Sequence, residues 1–126
     1  MLQTSELHPH PAAELPVIDV GAAGDRMREQ ASWRVHGHAA ATLVREDDLR
    51  IVLLELRRGA HLQEHRTTAR VSVHVLRGRV HLTAGERRVT LAAGQLVVLD
   101  HDVAHDVDAE VDSSLLVTIA WRSEAS

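Results

Sequence analysis

Between Ala41 and Trp121 the chain repeats one theme: short runs rich in Val, Leu, Ile and Thr, each closed by Gly, Asp or charged residues. The runs cover residues 41–46, 50–56, 69–76, 79–84, 87–92, 95–100 and 114–121. Their length and β-branched content predict strands, and no stretch shows a convincing amphipathic helical stripe, so the expectation is an all-β domain. Close spacing with tight turns favours a sandwich or barrel in which each strand gives one face to the core. Residues 51–54 are apolar on both faces, which demands a second cover, either an opposing sheet or a second subunit.

Glycines punctuate the central strands. Arg77–Gly78 reads as a two-residue hairpin connection that would set Leu76 against Arg79, Val75 against Val80 and His74 against His81. Gly85 and Gly94 mark two further turns. Residues 1–30 carry all three prolines and little periodicity, and are expected to form a loosely ordered arm ahead of a single domain over 31–126. His8 and His10 lie in that arm, where the expected state is solvation.

With 126 residues the chain has room for one core. Two tryptophans and no Phe or Tyr leave no stacking platform for nucleobases, and a net charge of −4 without a cationic stripe speaks against nucleic acid. Cysteine is absent, so any metal must be held by His, carboxylate or water. No run of 18 apolar residues and no signal-like leader is present, and the expectation is a cytoplasmic protein with no membrane partner.

Two spaced motifs carry a resemblance. Gly59 is followed after five residues by His65, then by Thr67, Val71 and, after six further residues, Gly78; Gly94 is followed after five residues by Asp100-His101-Asp102, then His105 and Ala109. In order and spacing these resemble the two motifs of the cupin superfamily, as found in small single-domain bacterial cupins. The resemblance covers about residues 41–121 and implies a jelly-roll β-barrel, a small-molecule ligand and pairing into a homodimer.

It also implies a site. A complete cupin centre holds a divalent metal through two histidines and a glutamate of the first motif and a histidine of the second. Here His65 and His105 stand at ligand positions, while Thr67 replaces a histidine and Val71 the glutamate. With two ligands of four, the candidate metal is a divalent transition ion (Zn, Fe, Ni or Cu) completed by an additional group. Gln63 and His101 are the candidate extra ligands. Strand alternation places His61, Gln63, His65 and Thr67 on one face, with His61 roughly 13 Å along the strand from His65 and out of reach.

Two functions follow. The first is a small-molecule-binding barrel with a degenerate His-based site, lined by Leu53, Val71, Val73, Val80, Val97, Thr67, His65 and His105. The alternative is a metal-dependent enzyme of oxygenase or isomerase type. His74 and His81 are expected as an outward cross-strand pair, His36 and His38 as solvated, and the acidic residues 100–112 as turn and surface carboxylates lacking a calcium-loop pattern. Arg57, Arg58, Arg66 and Arg70 crowd the first motif, where one of them would be placed to clamp a carboxylate.

Overall fold

In the computed structural model, which describes residues 9–65 and 67–122 and the side chains of all of these except Glu64 and His65, nine strands form two antiparallel sheets. The strands are β1 (His38–Arg45), β2 (Leu49–Leu56), β3 (His61–His65), β4 (Arg70–Arg77), β5 (Arg79–Ala84), β6 (Arg87–Ala92), β7 (Leu96–Leu99), β8 (His105–Ala109) and β9 (Ser113–Ala120). One sheet has the order β1-β2-β9-β4-β7 and the other β3-β8-β5-β6. This is the jelly-roll sandwich expected from the sequence, with the strand over 38–45 starting earlier than its β-branched residues suggested.

The sheets meet over an aliphatic core. Val71, Val73, Val75 and Leu115 from the first sheet face Val80, Leu82, Leu91 and Val107 from the second, all at least nine-tenths buried. The alternation along β4, with Val71, Val73 and Val75 inward and Ser72, His74 and Leu76 outward, is the period-two pattern of a strand giving one face to the core.

The Arg77–Gly78 connection is a corner between sheets. β4 pairs with β9 and β7, whereas β5 pairs with β6 and β8, so the expected hairpin register of His74 with His81 does not form. Gly78 has φ +93°, and a Cβ there would lie 2.2 Å from Ser113 Oγ and 2.5 Å from the Asp112 carbonyl. The Ser113 hydroxyl accepts from Arg79 N at 3.1 Å and donates to the Val111 carbonyl at 2.7 Å. Only glycine lets the chain turn this close to β9. His81 faces Thr90 and Glu110, each 2.9 Å from a ring nitrogen.

A second departure concerns the N-terminal segment. Residues 9–19 run mostly without regular structure apart from a 3-10 turn at Ala12–Glu14, but Val20–Met27 forms helix α1 and Ala31–His36 helix α2. Asp19 caps α1 by accepting from Ala22 N at 2.9 Å. Ala23 and Met27 pack with Ala39, Ala41, Leu43, Val44 and Leu53 on the outer face of β1 and β2. The second cover that residues 51–54 require is thus these helices. Leu53, expected inside the barrel, belongs to this outer layer because Arg50, Val52 and Leu54 take the inward parity.

Candidate functional site: the cavity between the sheets

The first sheet is broader than the second, and between them lies a cavity of about 440 Å³. Its walls are Val52 and Leu54 of β2, Val71 and Val73 of β4, Val107 of β8, and Leu115, Val117 and Ile119 of β9, with Leu62 and Ala40 contributing from β3 and β1. Polar atoms enter at few places: Arg50, Thr67, His105, His38 and the indole of Trp121. Alternation explains the placement, since Arg50↔Ile119 and Val71↔Ile119 set these residues in one transverse row on the same face.

Of the residues expected in the pocket, Thr67, Val71, Val73 and His105 line this cavity. The His65 side chain, Arg66 and His8 lie outside what is described. The backbone of His65 pairs with that of His105 across β3 and β8, which brings the two chain positions side by side. Between Leu62 and His65 the ladder shifts by one residue, a bulge that breaks the simple alternation assumed from the sequence. His61 therefore sits on the outer face, with Nδ1 2.5 Å from Asp108 Oδ1 and Nε2 3.7 Å from Asp106 Oδ2. That contact, first through the hydrogen bond from His61, holds the Asp108 carboxyl below its ordinary range.

The candidate extra ligands are elsewhere. Gln63 is exposed and does not line the cavity. His101 is engaged outside it, with Nδ1 2.7 Å from the Thr68 carbonyl and Nε2 2.9 Å from the Arg70 guanidinium. Asp100 accepts from His101 N at 2.8 Å, and this bond, followed by the charge of Arg70, holds its carboxyl below the ordinary range. Asp102, at the place of the family's second-motif glycine, takes φ 59°, a left-handed conformation that Asp tolerates better than most residues.

The described residues do not by themselves supply the donor set of a cupin-type metal. Val71 offers no donor and is 3% exposed, and the Thr67 hydroxyl accepts from Ala69 N at 3.2 Å. Among the described residues no three His, Asp or Glu side chains converge in a way that holds a metal ion. His105 Nδ1 faces the Val103 carbonyl at 3.4 Å, which orients the ring from behind.

Among the described residues, the arginine that lines the cavity is Arg50, where the sequence pointed instead to Arg57, Arg58, Arg66 and Arg70. Arg57 instead lies over Trp33, 5.5 Å from the ring centroid, and donates to the Arg34 carbonyl at 2.9 Å. Arg58 caps onto Asp112 through its backbone N–H, and Arg70 faces Asp100 and His101. The signal for Arg50 was its position opening an apolar strand in phase with Val52 and Leu54. Glu55, buried in the same strand, was also missed, but it faces the helices and not the cavity.

No helix among the described residues is long and apolar enough to cross a membrane. No curated protein matches the chain. Among solved structures the fold is similar to that of a protein from Thermus thermophilus, with a TM-score of 0.70 at 22% identity over 85% of this chain and 98% of that one. A conserved protein of unknown function from Streptococcus pyogenes gives 0.68 at 20% identity over 86% and 89%. A cupin superfamily protein from Desulfitobacterium hafniense gives 0.65 at 14% over 68% and 78%. Identities this low speak to fold alone. Residues 52–121, more than half of the sequence, match the family model described as Cupin domain, and with the two-sheet topology this places the chain in the cupin superfamily.

Proposed function

We propose that this cupin binds a small organic molecule in the cavity between its sheets and does so without a transition metal. The supporting observation is the cavity itself: about 440 Å³, with aliphatic walls and a handful of polar groups, Arg50, Thr67 and His105 among them. That is the size and make-up of small-molecule sites, in which apolar walls supply burial and a few polar groups set orientation. The metal-dependent alternative loses support from Val71 and Thr67, since neither replaces the donor that the family places there.

Tag-free protein examined by native mass spectrometry and by elemental analysis tests both halves. The expected result is a retained organic mass that is lost in Val73→Trp, which fills the cavity, with transition metal well below one per chain. Stoichiometric metal that disappears in His65→Ala and His105→Ala overturns the metal-free reading. An organic mass that persists in Val73→Trp overturns the location.

A further inference from the structure

We propose that the occupant of the cavity is a small organic monoanion, a carboxylate carried on an apolar body, anchored by Arg50; this rests on the ligand-binding reading above and adds its chemical class. Arg50 opens β2 on the cavity face, and its guanidinium carbon lies 5.2 Å from the ring centroid of Trp121. Its Nε is buried and has no hydrogen-bond partner among the described residues. No Asp or Glu stands among the described residues lining the cavity.

Five other described arginines have a carboxylate within reach. Arg28 and Arg77 approach Glu55, Arg70 faces Asp100, Arg79 faces Glu110 and Arg88 faces Asp108. Among the described residues, Arg50 is the arginine that lines the apolar cavity, and no carboxylate is paired with it there. A guanidinium N–H removed from water and left unpartnered is costly, and stacking on Trp121 occupies a face of the group while leaving its in-plane donors to an acceptor. A carboxylate matches that fork with two parallel hydrogen bonds and cancels its charge.

Charge sets the class further. One arginine balances one negative charge, whereas a phosphate monoester carries nearly two near neutral pH. Val52, Val73 and Val117 on the same wall provide no polar partners for a sugar-like body, so the part of the ligand that lies against them is apolar.

Three acids, hexanoate, benzoate and cyclohexanecarboxylate, each paired with its primary amide, provide the test. They are titrated into wild-type protein and Arg50→Gln while the methyl resonances of Val73 and Val117 are followed by NMR. The expectation is that at least one acid binds tenfold or more tightly than its amide, and that the preference drops below twofold in Arg50→Gln. Arg50→Lys, which keeps the charge but not the fork, should retain part of the preference. Equal binding of acid and amide, or a preference that survives in Arg50→Gln, overturns the anion assignment while leaving the cavity reading standing. Hexyl phosphate binding more tightly than hexanoate overturns the monoanion. If neither acids nor amides move the two valines, both readings fall.

Discussion

The Arg28 guanidinium reaches from helix α1 to the carboxylate of Glu55 at 2.6 Å, and this contact fastens the N-terminal helices to the outer face of the first sheet. Glu55 is 1% exposed and also accepts from Ser114 Oγ at 2.7 Å, with Arg77 3.8 Å away. Gly24 makes room for it, since a Cβ there would stand 2.6 Å from Glu55 Oε2. Removing one partner of a buried pair leaves the other charge without its compensation, at a cost of about 3–5 kcal/mol. Arg28→Ala is expected at the low end, about 3 kcal/mol, because Arg77 remains nearby. Arg28→Met combined with Glu55→Gln, which keeps the Ser114 hydrogen bond, should lose less than the two single changes added together. Urea midpoints at unchanged slope provide the measurement.

The corner at Gly78 makes a second prediction, with Gly85 as its control. Both have positive φ, +93° and +61°, but nothing lies within 4 Å of a Cβ placed at Gly85. Gly85→Ala should therefore cost only the left-handed conformation, about 1 kcal/mol. Gly78→Ala adds overlap with Ser113 and the Asp112 carbonyl, and should cost at least about 3 kcal/mol, strain and overpacking together. Equal melting temperatures for the two variants would contradict the corner geometry.

Asp108 predicts a pH dependence. Its carboxyl is lowered first by the hydrogen bond from His61, so its ionised form is favoured in the folded state. A depressed carboxyl contributes stability above its unfolded pKa and loses it as pH falls through the folded value. Acid unfolding of wild-type protein should therefore extend below the ordinary carboxylate range. In His61→Ala the Asp108 carbon resonance should titrate closer to the ordinary aspartate range, and part of the acid-side loss should vanish. The pair is part exposed, so the effect on overall stability should be small.

Core and cavity wall should respond differently to truncation. Leu82 is 1% exposed between the sheets and does not line the cavity, so Leu82→Ala should cost about 2–5 kcal/mol. Val117 is only part buried and already borders open volume, so Val117→Ala should cost under about 1 kcal/mol. If ligand binding occurs at the proposed site, Val117→Ala should alter affinity more than stability, which paired titration and melting experiments would reveal.

Much of the barrel was legible in the sequence because period-two patterning is local: Val71, Val73 and Val75 announce an inward face whatever they meet across the core. The spacing of the two motifs likewise brought Thr67, Val71 and His105 to one cavity. Helix α1 was not legible, since its buried face is made of Ala23, Gly24 and Met27, too small and too few to raise an apolar stripe. The roles of Arg50 and Glu55 depend on strand parity together with what covers each side of β2, and neither is a local property. The bulge between Leu62 and His65 set His61 on the outer face, and the sheet change at Gly78 kept His74 and His81 from pairing although both keep the outward parity that alternation gave them. By itself, then, the sequence determined seven of the nine strands, all but β3 and β8, and that they close around an aliphatic interior, because side-chain alternation is written residue by residue. Only the tertiary structure decided which side of each strand faces the cavity and which faces the helices, because that depends on pairing between strands distant along the chain.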